Sequence, residues 1–582
     1  MQAILILLAI GLPWLGAMLV WAAGDSRPRW QHGLAVASSI AAAAVTLAML
    51  PGAAPGIALR LTAGGVLGEF TFVADGLGLI LANIATVIGS LAVIFSVAYM
   101  DKSPALGRYY ALVLLFIGAM VGLVLSGGLL FLFFFWEITA LCSYALISFY
   151  NDDPAAVAGG TKALIITQLG GVGLLVGALA ARAYLGNDQI ETVLGAAASL
   201  PAGALSVAAF GFLLAAMAKS AQAPFHTWLP DAMEAPTPVS ALIHAATMVN
   251  AGVYLLIRFF PAFVAVPGWR DAIVVVGVVT AVLAALMALV TNDLKRVLAY
   301  STVSQLGYMV YAIGVGGLFA SQLHLLNHAV FKALLFLGAG AVIHSLGTRD
   351  MRQMGNLRRE MPFTTVAFMI GAAALVGLPF LNGFWSKELI LEAGQEGGPL
   401  WGYTLMLLGV GLTALYSARM VWLVFLAPPP ERERAHRAAG AMRLSLGVLA
   451  AGAWLSWLPA GAISNMLAET MPHHGFHTES TVHLAREILT HPATYLALAV
   501  VAGGLLLWLF RERVEPLARS LAWLGRAAGA GFGFEALNQG TVRLVKGAAT
   551  TIQPLQTGQL NWNVAGIAAG LILVLIVLAV GG

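Results

Sequence analysis

The chain has 582 residues, 60% of them hydrophobic and only 10% charged, with a mean hydropathy of +0.88. A soluble chain carries about 25% charged residues, so most of this surface faces lipid and the length does not translate into several soluble domains. The net charge of +4 and pI near 9.1 point to basic loops beside a membrane rather than to nucleic acid. The single cysteine, Cys142, excludes an internal disulfide and any multi-cysteine metal or iron–sulfur site, so redox chemistry on the chain's own ligands is not expected.

A spanning helix needs about 20 mostly apolar residues. Such runs occur at 2–23, 31–51, 73–99, 107–124, 126–149, 158–184, 203–229, 238–261, 271–291, 297–316, 320–345, 363–392, 399–427, 442–461, 492–511 and 562–581. The first has no basic flank and exceeds the usual signal-peptide length, so it reads as a spanning helix. The expected fold is therefore an all-α membrane protein of about sixteen transmembrane helices.

The seventh and twelfth runs are polar and interrupted. One contains Lys219, Pro224 and Pro230; the other contains Pro379, Asn382, Gly383 and Lys387. Proline removes a backbone donor, and freed carbonyls survive at membrane depth only where protein or a wet cavity satisfies them. Two broken helices five helices apart fit two inverted five-helix repeats. The implied division is N-terminal helices over 1–105, a first repeat over 106–261, a second over 262–427, and C-terminal helices over 428–582.

Loops after odd-numbered helices hold Arg27, Arg29, Lys102, Arg108, Lys295, Arg296, Arg349, Arg352, Arg358, Arg359, Arg432, Arg434 and Arg437. By the positive-inside rule these loops are cytoplasmic and both termini face outward. Over 511–560, Arg511, Arg513, Arg519, Arg526, Arg543 and Lys546 interleave with Leu and Trp, which reads as helix along the interface. A break is expected at Ala527–Phe534, where Gly529, Gly531 and Gly533 alternate.

An ionisable side chain at the bilayer centre costs about 2.5–3.5 kcal/mol, so several in one chain need a reason. Glu137 lies in an apolar run, and Lys219 is its expected partner. His324, His328 and Lys332 recur at i, i+4, i+8 and share one helix face. Histidine exchanges protons near neutral pH and burial lowers the pKa of lysine, so the three make a proton wire. His244 bridges Lys219 to that cluster, and Lys387 is the exit, with Glu388 and Glu392 beyond it either accepting the charge or facing solvent. Asp75, His226, Asp231 and Arg419 read as structural. His473, His474, His477 and His483 are too irregularly spaced to be expected as a metal site.

The stretch from Lys219 through His226, Pro230, Asp231 and His244 to Val249 resembles the signature of the antiporter-like proton-pumping subunits of respiratory complex I. Asn292–Met309, His324–Leu337 and Met354–Arg359 match it too, so the resemblance runs from about Asp75 to Arg419. The tail, with Gln556–Leu560 before a last span, resembles the distal large subunit and the related large subunit of multisubunit sodium/proton antiporters. The resemblance implies that Glu137 and Lys219 form a modulating pair, that Lys332 is the central relay, and that Lys387 faces the outer exit. Asn250 stands where many antiporter relatives carry lysine, and Gly170-Gly171 looks like the antiporter branch. Tyr300–Tyr308 looks like complex I, so the branch stays open.

The resulting expectation is a proton-translocating membrane subunit of a complex I-like NADH/quinone oxidoreductase in the cell membrane, working through Glu137, Lys219, His244, His324, His328, Lys332 and Lys387. No cofactor or metal is expected on this chain. Its partners would be other membrane subunits, lipid, protons and possibly sodium, and not nucleic acid. The alternatives are a sodium/proton antiporter subunit, an ion-driven partner of inorganic-carbon uptake, and a membrane anchor that no longer conducts.

Overall fold

A computed structural model describes residues 1–62, 69–432 and 434–553. The chain divides into a compact body over Met1–Gly525 and a second unit from Arg526 onward. Among the described residues the architecture is helical apart from one antiparallel hairpin, β1 (Ile57–Thr62) and β2 (Glu69–Val73), whose register runs from Ile57↔Val73 to Thr62↔Glu69. The all-α expectation missed this hairpin, because β2 lies at the edge of an apolar run that reads as the start of the next helix.

Twelve helices are long and apolar enough to cross a membrane among the described residues. A thirteenth is counted if Gly440–Leu455 and Ala460–Thr470, bent by 77°, form one span. Leu294–Val315 has the length, at 22 residues, but carries Lys295, Arg296, Gln305 and other polar residues. The twelfth expected span is split between Pro362–Val376 and Asn382–Gly397. The expected sixteen are therefore not all present as continuous apolar helices, and the run at 562–581 lies outside the described residues.

Burial separates the centre of the body from its edge. The most apolar 18 residues of Thr237–Phe263 are all buried, whereas the corresponding stretches of Gln2–Ala23, Pro28–Gly52 and Pro492–Leu509 are 39%, 33% and 28% buried. The edge helices present Leu8, Leu15, Leu19, Tyr495 and Leu506 outward, as lipid or a neighbouring membrane subunit requires.

The breaks differ from the expectation in one respect. The Ala202–Lys219 helix ends at Lys219, and the chain then runs through short turns at Phe225–Thr227, Trp228–Asp231 and Ala232–Glu234. The run 203–229 is thus not one helix, because Pro224 and Pro230 withhold donors. The next run, expected to be continuous, is the one interrupted in its interior. Leu242–Ala246 forms a π-helical turn and Thr247 leaves helical geometry at φ −133°, ψ −102°. In the second unit the chain turns at Gly531–Gly533 before the helix Phe534–Ile552, where the alternating glycines place the break.

Candidate functional site

Glu137 projects from the Leu129–Ile147 helix and Lys219 is the last residue of its own. Small residues let these elements close up: Gly170 faces Ala218, and Gly171 faces the Glu137 carboxylate. Lys219 is fully buried, donates to Trp136 O at 2.9 Å, and sits 4.9 Å from the centre of the Trp136 ring. Its contact is thus with a carbonyl and an aromatic face, and Glu137 acts on it at longer range. Glu137 Oε1 is buried without a hydrogen-bond partner. The two charges are thus electrostatic partners without an ion pair within 4 Å.

His244 lies in the π turn, fully buried, with neither ring nitrogen hydrogen bonded. Thr247 Oγ1 donates to Leu242 O at 2.7 Å and Asn250 Nδ2 to Ala245 O at 2.9 Å, so side chains satisfy carbonyls that the break frees. Trp228 stands between His244 and the Lys219 helix: its ring centre is 6.2 Å from the imidazole and its Nε1 donates to Ala218 O at 3.0 Å.

Two lysines lie within electrostatic reach of His244, Lys295 and Lys332. Lys295 belongs to the buried interior, 3% exposed, with its ammonium donating to Met233 O and Ala235 O at 2.6 Å each. Reading it as a loop cation was wrong; the Asn292-Asp293 start of its helix looks like a loop, and only the fold tucks Lys295 under the Met233–Ala235 turn. Lys332 is fully buried, donates to Ser301 Oγ, and is 3.3 Å from Leu298 O.

His324, His328 and Lys332 all lie on the Leu318–Leu346 helix and are all buried. His324 is held by Ser386 Oγ at 2.9 Å and Gln305 Oε1 at 3.0 Å. His328 makes no hydrogen bond, and its ring centre is 6.3 Å from that of His324. Asn327 and Asn382 exchange amide bonds, Nδ2 of each donating to the other's carbonyl at 2.9 and 3.1 Å, and this clamps the second break against the histidine helix. Across that break Lys387 Nζ donates to Leu375 O at 2.8 Å and Val376 O at 3.1 Å. A Cβ at Gly383 would lie 1.9 Å from Ala374 O, so only glycine allows the two half-helices to pass this closely.

The remaining candidates have structural partners. Asp75 caps the Gly76–Tyr99 helix through Gly78 N at 2.9 Å and forms a two-pronged ion pair with Arg258, both buried. Asp231 pairs with Lys162 at 2.8 Å and Arg296 at 3.5 Å. Arg419 donates to Thr291 O and Asn292 Oδ1. His226 is buried. His474 Nε2 meets the carbonyls of Ile257 and Arg258 at 3.1 Å, while His473 faces Glu191. Among the described residues the histidine tract does not gather into a ligand set. Sequence reasoning missed Arg258 and Lys162; for Arg258 the signal was an arginine inside an apolar run.

Residues 126–413 match the family described as NADH:quinone oxidoreductase/Mrp antiporter, TM. Residues 61–110 match NADH-ubiquinone oxidoreductase (complex I), chain 5 N-terminus. The chain is 43% identical to NAD(P)H-quinone oxidoreductase chain 5 of a Picosynechococcus species over 378 residues, 61% of this chain and 56% of that one. It is 38% identical to Na(+)/H(+) antiporter subunit A1 of Staphylococcus aureus over 440 residues, 70% of this chain and 55% of the relative. It superposes on a chain of the Mrp complex from a Dietzia species with a TM-score of 0.81 and 29% identity, over 99% of this chain and 63% of that one. The chain thus spans little more than half the length of the curated relatives it matches. The two matched segments, the relatives and the fold agree: the chain is a multi-pass membrane protein belonging to the NADH:quinone oxidoreductase/Mrp antiporter transmembrane family.

Proposed function

We propose that this chain is a proton-translocating membrane subunit of a complex I-like NADH/quinone oxidoreductase, with Glu137, Lys219, His244, Lys332 and Lys387 as an ordered relay and His324 and His328 between the last two lysines. The carrying observation is the identity of the lysines' partners. Lys219, Lys332 and Lys387 are buried against backbone carbonyls and one hydroxyl, with no carboxylate among their hydrogen-bond partners in the described residues. Such a lysine can release its proton without breaking a hydrogen-bonded ion pair. A change at Glu137 then alters the charge balance at Lys219 and sends a proton onward. One charge moved against 100 mV costs about 2.3 kcal/mol, a cost that must come from redox subunits elsewhere in the assembly.

The halves 106–261 and 262–427 act in this reading as inverted units, each with its own break. In this reading the membrane is the plasma membrane, and the excess of basic residues in the odd-numbered loops supports cytoplasmic odd loops and outward termini. Its partners are further membrane subunits.

A second reading, a subunit of a sodium/proton antiporter, is supported by the similarity to Staphylococcus aureus subunit A1 over 70% of this chain. Affinity purification from the native membrane, subunit identification and reconstitution into vesicles with an internal pH dye separate the two. Acidification driven by reductant and quinone supports the first reading, and collapse of a pH gradient by sodium without reductant supports the second. Full coupled transport by Lys332→Ala overturns both.

A further inference from the structure

The Asn382–Gly397 helix carries Glu388, Glu392 and Glu396 at i, i+4 and i+8, a carboxylate ladder on one face running from Lys387 to the helix end. Glu388 is 5% exposed; its Oε2 has no hydrogen-bond partner, and it interacts electrostatically with Lys387 and Glu392. One turn further on, Glu392 Oε1 is 3.8 Å from His491 Nε2. Glu392, Glu396 and His491 each bring a ligand atom within 4.8 Å of the others. Glu487 also acts on Glu392, so negative charge gathers around the His491 imidazole. Gln395 and Pro492, the chain neighbours of Glu396 and His491, line a surface depression of about 310 Å³.

We propose that Glu392, Glu396 and His491 form a site for a divalent cation of the Zn2+ type, and that an ion held there closes the carboxylate ladder leading from Lys387. The second half of this statement rests on the relay proposed above. One imidazole and two carboxylates leave a fourth position open on a tetrahedral ion, which suits zinc. Calcium takes six to eight oxygens and magnesium a near-octahedral set, more than this trio supplies. His491 Nδ1 now accepts from Ala493 N at the long distance of 3.3 Å. Ligation through Nε2 moves the ring proton to Nδ1 and costs this long N-cap contact to the Pro492–Leu509 helix. Glu388 lies one helical turn before Glu392 on the same helix, so an ion that occupies Glu392 and Glu396 takes the next two carboxylates of the ladder out of proton transfer.

The test is calorimetric titration of the purified native assembly with zinc chloride, joined to X-ray absorption at the zinc edge. One bound ion with mixed nitrogen and oxygen ligation is expected. Affinity should fall at least tenfold, about 1.4 kcal/mol, in His491→Ala and in Glu396→Gln, and not in His473→Ala. Glu396 is exposed, so its variant folds even where the histidine variant does not. No binding by the wild type, or wild-type affinity in both variants, overturns the site. In vesicles, zinc should inhibit wild-type transport, and the half-inhibiting concentration should rise tenfold in Glu396→Gln, each preparation being compared with its own metal-free rate. Inhibition that does not shift overturns the closing action. Absence of transport in every preparation overturns the relay, and the calorimetry still decides the metal site.

Discussion

A Cβ on Gly171 would lie 2.4 Å from the Glu137 carboxylate oxygen. The glycine is thus the wall of the space in which Glu137 is held near Lys219. The obstructed atom is the end of a flexible side chain, so in Gly171→Ala the carboxylate swings away while the helices stay in place. Alanine gains about 1 kcal/mol of helix propensity over glycine, which offsets the displacement, and the melting temperature should hold. Coupled transport should fall about tenfold, equivalent to roughly 1.4 kcal/mol of barrier. The initial rate of vesicle acidification checks this, and a wild-type rate in Gly171→Ala would show that the position of Glu137 is not used.

The Asp75–Arg258 pair ties the start of the Gly76–Tyr99 helix to the buried Asn250–Phe263 segment. Removing one partner of a buried pair strands the other and costs about 3–5 kcal/mol; Asp75→Ala also loses an N-cap, about 1 kcal/mol. The single variant should melt well below wild type in detergent. Asp75→Leu combined with Arg258→Met should recover most of the loss, because two apolar groups leave no stranded charge. A double variant as unstable as the single one would point to a role beyond charge balance.

The difference between what could and could not be read from sequence follows from range. Lys332 and its two histidines were legible because helix periodicity places residues four apart on one face, and the Pro379–Gly383 break was legible because proline and glycine act locally. The interruption at Leu242–Ala246 contains neither residue, and the stretch from Val239 to Asn250 reads as a continuous apolar helix; what sustains the turn is Thr247 and Asn250 bonding back to freed carbonyls. Lys295 and Arg258 were misjudged or overlooked because their partners are 60–183 positions away in the chain. The separation of Glu137 from Lys219 is set by Trp136 O, a backbone atom that carries no sequence signal.

The interrupted helix can be tested at the side chains that support it. Thr247→Val keeps the shape and removes the bond to Leu242 O, leaving a buried carbonyl unpaired at a cost of about 1–3 kcal/mol. His244 lies within the same turn, so transport should fall more steeply than stability. Thr247→Ser, which retains the hydroxyl, should restore both. If valine leaves the transport rate unchanged at an unchanged melting temperature, the turn does not depend on this bond.

The loop that carries His474 supplies a pH-dependent term. Burial, assisted by the nearby Arg258 guanidinium, lowers the His474 pKa to about 4 from its ordinary 6.5. The ring is therefore neutral in the folded protein at pH 7 and meets the carbonyls of Ile257 and Arg258. Between pH 6.5 and 4 the unfolded chain takes up a proton here that the folded chain refuses, so this contribution is complete above pH 6.5 and is lost as the pH falls towards 4. The melting temperature of the wild type should drop across that window. His474→Gln keeps a hydrogen-bond donor and cannot become charged, so its melting temperature should drop less over the same range. Carboxylates titrate in both proteins, and the comparison cancels them. A gap between the two melting curves that does not change between about pH 7 and 5, where most of the histidine's proton uptake in the unfolded chain falls, would remove His474 as the source, and would leave the Arg258 carbonyl contact as packing alone.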